Sequence, residues 1–187
     1  MAHRVCPWWA GYLLISPLRR LAHDPQRIVG PYLEPGMTAL DFGCGMGHFS
    51  LAMARGVGTT GRVVCVDLQP RMLVGLARRA ARAGLRERLE LRQASPEDTG
   101  LSSFEARVDF ALAVFVIHEV EDQQQILRDL AGTLKPAGRL LLAEPKIHVR
   151  EREFLRTLAC AEAAGLVVAQ RPAMRRARAV LLAPAPR

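Results

Sequence analysis

Three glycines in five residues, Gly43, Gly45 and Gly47, interrupt the chain where the apolar run from Met37 to Phe42 gives way to a helical pattern. Glycine takes dihedrals barred to residues with a Cβ and lets the backbone come close to a ligand. Twenty residues after Gly47, a second apolar run, Val63-Val-Cys-Val66, ends in Asp67. A carboxylate at the end of the next strand suits a ribose diol, which offers two hydroxyl donors. A glycine turn closing one strand and an acid closing the next point to a parallel sheet. A nucleoside-type ligand would lie across the carboxyl ends of its strands.

The spacing narrows the ligand class. A dinucleotide fingerprint, G-x-G-x-x-G, requires glycine where this chain has His48. A nicotinamide dehydrogenase is therefore the third-ranked reading. The G-x-G-x-G form fits a ligand without a pyrophosphate to cradle.

Local signals order the rest of the chain. Asp24-Pro25 reads as a helix start, a capping side chain followed by proline at the first helical position, with the helix running to Leu33. Strands are expected at Met37–Phe42, Arg62–Val66, Leu89–Leu91, Val108–Val116 and Arg139–Ala143. Helices fall between them, from Gly47 to Arg55, from Pro70 to Gly84 and from Gln123 to Leu134, and a further helix from Arg150 to Ala164 follows. The nearly continuous apolar run at 108–116 is what a central strand buried on both faces requires. Two last strands, Leu166–Gln170 and Ala177–Leu182, have no helix between them. They are expected to pair antiparallel at the sheet edge, because a parallel crossover needs a dozen or more residues. Alternating strands and helices predict an α/β fold with a doubly wound, seven-stranded, mostly parallel sheet, an antiparallel last strand and helices on both faces.

Length and composition bound the alternatives. At 187 residues, half of them hydrophobic, the chain fits a single domain with a sizeable core. Residues 1–23 are read as an amino-terminal lid or cap and 24–187 as the domain proper. No apolar run reaches the roughly 18 residues of a membrane-spanning helix. The four cysteines are scattered without a C-x-x-C pair, which favours free thiols in a reducing cytoplasm. The formal charge of +8 raises a nucleic-acid partner. The clusters at Arg78–Arg82 and Arg171–Arg178 lack interleaved aromatics for base stacking, and a solvated helix face is the preferred reading of the first.

The glycine loop preceded by Asp41, with Asp67 at the following strand end, resembles motif I and its partner acid in the class I S-adenosylmethionine (SAM) methyltransferases. The resemblance covers roughly residues 24–182, including the Leu134-Lys-Pro-Ala-Gly-Arg139 lead into the fifth strand. It implies SAM as cofactor and S-adenosylhomocysteine as product, with Gly43, Gly45 and Gly47 under the methionine moiety. Asp41 would support the loop or the amino group, Asp67 the ribose, and Leu68 would pack on the adenine. After the third strand, where the family frequently carries Asp, this chain has Gln93-Ala94-Ser95, and Ser95 takes that position. Ala113 and Val114 would pass beside the methionine part through main-chain atoms.

The resemblance implies methyl transfer to a small-molecule acceptor. Two alternatives stay open: an RNA methyltransferase, motivated by charge, and a SAM-binding regulator without catalysis. His118-Glu119 follows the fourth strand, where acceptor-facing residues often lie, and Glu144 and His148 flank the end of the fifth. His118 is a candidate general base by its near-neutral pKa, with a helix-capping role as the alternative. His118, Glu144 and His148 lack helical ligand spacing, so no metal is expected. Trp8, Trp9 and Tyr12 are expected to form a lid or an acceptor wall. A staple to the core or a homodimer interface is the competing role.

Overall fold

The computed structural model describes residues 23–95 and 98–186. These cluster into two compact units, one ending at Gly100 and the other beginning at Leu101. Seven strands, β1 (Thr38–Phe42), β2 (Arg62–Asp67), β3 (Leu89–Gln93), β4 (Val108–Val114), β5 (Leu134–Pro145), β6 (Leu166–Gln170) and β7 (Ala177–Pro184), are ordered β3-β2-β1-β4-β5-β7-β6 among the described residues.

In the first unit, Asp24 accepts from the Gln26 amide at 3.0 Å and caps α1, Pro25–Val29. This helix stops four residues short of the expected Leu33, because Gly30–Tyr32 tightens into a 3-10 turn. Strands β1 (Thr38–Phe42), β2 (Arg62–Asp67) and β3 (Leu89–Gln93) pair in parallel, with Phe42 opposite Val66 and Asp67 opposite Gln93. Their carboxyl ends therefore share one edge. Helix α2, Ser50–Gly56, begins three residues later than the pattern predicted. Gly47 at φ +79° cannot be a helical residue, so the turn continues to Phe49. Helix α3, Pro70–Arg82, buries Met72, Leu73, Leu76 and Ala80. That stripe recurs every three to four residues, while Arg71, Arg78 and Arg82 face solvent. The expected solvated arginine face is present at Arg78 and Arg82, while Arg79 of the same cluster is half-buried and donates through Nη1 to Met46 O.

In the second unit, β4 (Val108–Val114) pairs in parallel with β5 (Leu134–Pro145). Strand β7 (Ala177–Pro184) runs antiparallel to both β5 and β6 (Leu166–Gln170), as the helix-free connection required. Helix α4, Gln123–Thr133, is capped by Asp122, which accepts from the Gln125 amide at 2.8 Å. In α5, Glu151–Ala163, Glu153 reaches back to the Arg150 amide at 2.7 Å.

Strands β4 and β5 also differ from expectation. Strand β4 ends at Val114, not Val116, because Phe115 takes φ +63° and breaks the ladder. The expected turn at Lys135–Gly138 lies inside β5 as a bulge. Val108 pairs with Leu134 and Phe110 with Arg139, so the extra residues bow out opposite Asp109. Lys135 Nζ meets Asp109 Oδ1 at 2.7 Å across this bulge. A Cβ on Gly138 would sit 2.9 Å from the carbonyl oxygens of Lys135 and Val108, so backbone crowding demands glycine there.

Candidate functional site

In the first unit, β1 delivers the chain into a loop where Gly43, Gly45 and Gly47 all have positive φ, +72°, +52° and +79°. The Gly43 and Cys44 amides donate to Val66 O at 2.9 and 3.0 Å, tying the loop to the end of β2. The Gly45 amide donates to Asp67 Oδ2 at 2.8 Å, and the Gln69 amide donates to Oδ1 at 2.9 Å. Asp67 thus holds the loop and its own turn, with lone pairs on both oxygens still available to a ligand hydroxyl.

The glycines are not equivalent. A Cβ on Gly45 would meet nothing within 4 Å, whereas one on Gly47 would collide with Leu76 of α3. Gly47 lets the loop pack on the helix. Gly45 leaves an open cradle over the backbone, beside a carboxylate, and that is the opening a nucleoside-type ligand needs. Burial raises the Asp67 pKa above the ordinary aspartate value, and the Gln69 and Gly45 amides pull it partly back. Leu68, next to Asp67, is 39 % exposed and offers an apolar face beside that carboxylate.

Asp41, at the end of β1, is 3 % exposed, and its Oδ2 accepts from the Ser50 hydroxyl at 2.5 Å. Of its two expected roles this bond supports loop bracing, since it clamps the glycine loop from strand to helix. Ser50 was not foreseen, though a serine at the start of the helix behind a glycine loop was a legible signal. His48, the departure from the dinucleotide pattern, reaches back through Nε2 to His23 O at 3.0 Å. Ala94 donates to Asp67 O at 3.1 Å and so fixes the end of β3. Ser95 is exposed, and its hydroxyl accepts from the Asp98 amide at 3.1 Å within a local turn.

In the second unit, Ala113 and Val114 are buried at the end of β4. The positive φ of Phe115, an uncommon conformation for a residue with a bulky side chain, turns the chain sharply into the 3-10 turn Ile117–Glu119. This places His118 against Glu144 of β5. Glu144 is 1 % exposed, and both its oxygens face His118: Oε1 accepts from the amide at 3.3 Å and Oε2 pairs with Nδ1 in a short contact. A carboxylate only accepts, so the proton of this pair belongs on Nδ1. Glu119 Oε1 lies 4.0 Å from Nε2. The His148 ring is nearly parallel to that of His118, with centroids 6.1 Å apart. Burial opposes charge on His118, but the hydrogen bond and charge of Glu144, with Glu119 adding, outweigh it and raise its pKa. The four second-unit candidates thus converge. The direct Glu144–His118 bond, spanning 26 residues, had no local signal.

Trp8, Trp9 and Tyr12 lie outside the described residues. Among the described residues, no group of three or more His, Cys, Asp or Glu side chains is arranged to hold a metal. None of their helices is long and apolar enough to cross a membrane.

Comparison with known proteins bears on family and fold. A family model described as a methyltransferase domain matches residues 33–171. A ubiquinone/menaquinone biosynthesis C-methyltransferase of Enterobacter sp. (strain 638) is 34 % identical over 109 residues, covering 58 % of this chain and 43 % of the relative. A demethylmenaquinone methyltransferase of Lactobacillus johnsonii is 28 % identical over 112 residues, 60 % of this chain and 45 % of that protein. The chain thus spans less than half the length of these curated relatives. Among solved structures, a SAM-dependent methyltransferase from Aquifex aeolicus superposes with a TM-score of 0.84 at 23 % identity, over 95 % of this chain and 98 % of the other. That likeness establishes the α/β fold with its mixed seven-stranded sheet.

Proposed function

This chain belongs to the methyltransferase-domain family, and from that premise we propose that it is an enzyme that binds SAM and methylates a small-molecule acceptor. The observation that carries this reading is the Gly45 cradle. Its backbone is open in front, its φ is one that glycine adopts without strain, and its amide is already oriented by Asp67. SAM supplies a methyl group on a positively charged sulfur, an electrophile that needs no further activation. The chain's own residues bind and orient it. Asp67 would accept from the ribose hydroxyls, Leu68 would cover the adenine, and the backbone of Gly43 to Gly47 would lie under the methionine part. Asp41 and Ser50 keep that loop in place. Ala94 and Ser95 would flank the adenine.

A small acceptor is supported by the relatives, whose names place them in quinone biosynthesis. Isothermal calorimetry with SAM, S-adenosylhomocysteine and NAD tests the cofactor. SAM and its product should bind and NAD should not. Binding of NAD alone would falsify the reading.

A further inference from the structure

We propose that the turn after β5 and the connection between β6 and β7 together form a docking surface for the anionic face of a phospholipid bilayer, with Ile147 entering the headgroup region. Both segments belong to the second unit, and the proposal does not depend on the cofactor reading.

Ile147 is 87 % exposed, the highest value for any large apolar residue among those described, where Leu155 follows at 54 %. Single exposed apolar residues are common and by themselves mean little. This one sits on a fixed turn. The His148 and Val149 amides both donate to Pro145 O, at 3.1 and 2.9 Å, and Val149 is buried. The Lys146 amide donates to Arg176 O at 2.9 Å, and Arg178 Nη1 donates to Val149 O at 2.9 Å. The turn is thereby bonded at both ends to the chain that leads from β6 into β7. Arg176 holds its carbonyl there at φ +55°, a conformation uncommon for a residue with a long side chain.

These bonds gather cations. Lys146, Arg150 and Arg176 are exposed, and the half-buried Arg178 has its guanidinium at the turn itself. Neither residues 145–150 nor residues 171–178 include an aspartate or glutamate. The acids that flank the turn in sequence are Glu144, buried against His118, Glu151, exposed at the start of α5, and Glu153, which accepts from the Arg150 amide. An aliphatic side chain thus stands within a cationic rim.

Cations alone would suit any polyanion, and the isoleucine decides between them. Nucleic acid offers phosphates, but its unpaired bases stack on aromatic side chains, and neither segment has a Phe, Tyr or Trp. An anionic bilayer takes both features. Headgroup phosphates meet the cations, and the isoleucine leaves water at the acyl boundary. Lysine and arginine fit that boundary because their stems lie along apolar surface while the charge stays with the phosphates.

The test uses the full chain and sedimentation with vesicles of phosphatidylcholine, with and without phosphatidylglycerol. The protein should sediment with the anionic vesicles and stay in solution with the neutral ones, and added salt should release it. One Lys or Arg at a membrane surface contributes about fivefold to binding, so Lys146→Gln should cost about that, and Lys146→Gln with Arg176→Gln about 25-fold. Ile147→Ser should cost about three- to tenfold, as partial burial of one aliphatic side chain implies, and Ile147→Trp should restore binding. Arg107→Gln removes the same charge at the amino end of β4, the far end of the parallel β4–β5 pair from this turn. It should change binding by less than about twofold, because screening keeps the attraction local. Thermal melts should match the wild type throughout, since the substituted side chains are exposed. Sedimentation with neither vesicle, or equally with both, overturns the proposal. So does Ile147→Ser binding as the wild type does, or Arg107→Gln losing as much as Lys146→Gln. Retention of an RNA hairpin that the double variant abolishes, without vesicle binding, would assign the surface to nucleic acid instead.

Discussion

The Gly45 amide donates to Asp67 Oδ2 at 2.8 Å, joining the glycine loop after β1 to the acid that ends β2. One carboxylate thus shapes the cradle and borders it. Loop conformation and ligand affinity are consequently coupled through a single side chain.

Asp67→Ala should weaken SAM binding by about ten- to a hundredfold, the equivalent of about 1.5–3 kcal/mol for hydrogen bonds to a charged acceptor. Calorimetry measures this, and an unchanged Kd would place the ribose elsewhere. The Asp67 pKa is raised by burial, so the folded state binds its proton more tightly than the unfolded chain does. Its contribution to stability is complete below the ordinary aspartate value and is lost as pH rises through the raised one. Relative to Asp67→Asn, the wild type should therefore gain melting temperature as pH falls through that window. A parallel pair of curves would contradict the burial argument.

Gly45→Ala and Gly47→Ala should fail differently. Both force a Cβ into left-handed backbone, at a cost of about 1–2 kcal/mol. Only Gly47→Ala also displaces Leu76, adding about 1–3 kcal/mol of overpacking. Thermal melts of the ligand-free protein should rank Gly47→Ala well below Gly45→Ala. SAM titration of the folded Gly45→Ala protein should show the larger loss of affinity per degree of melting temperature lost.

The Glu144–His118 pair should appear in the pH dependence of stability. Burial works against the charged ring, yet Glu144 and Glu119 raise the His118 pKa above its ordinary 6.5. The stabilisation is full below that ordinary value and disappears as pH rises through the raised one. Glu144→Gln should flatten the melting-temperature profile over this interval. A profile that keeps its wild-type slope would assign the dependence to other groups.

Gly138→Val should destabilise the second unit without touching either cluster directly. Its Cβ would be 2.9 Å from two carbonyl oxygens, neither of which can rotate away as a side chain would. A loss of about 1–3 kcal/mol is expected from chemical denaturation, the range typical of overpacked sites. A midpoint within experimental error of wild type would show that the β5 bulge can relax.

The legible part of this protein was local. Gly43, Gly45 and Gly47 announce positive φ because glycine adopts it without a Cβ clash, and Asp24 caps α1 through an amide two residues away. The apolar run at 108–114 follows from burial on both faces of β4. Such features depend on neighbours in sequence, so composition and spacing carry them, and with them the fold class and the glycine loop at the carboxyl end of β1.

Tertiary structure alone decided the pairings. Ser50 meets Asp41 only because the glycine loop folds α2 back onto the end of β1. His118 meets Glu144 because β4 and β5 are in parallel register, Val114 opposite Ala143, and because Phe115 turns the chain at φ +63°. The four residues from Lys135 to Gly138 become a bulge and not a turn because that register must step from Leu134 to Arg139. A contact between residues 26 positions apart is set by strand register and the crowding of neighbouring backbones, quantities that no short stretch of sequence contains.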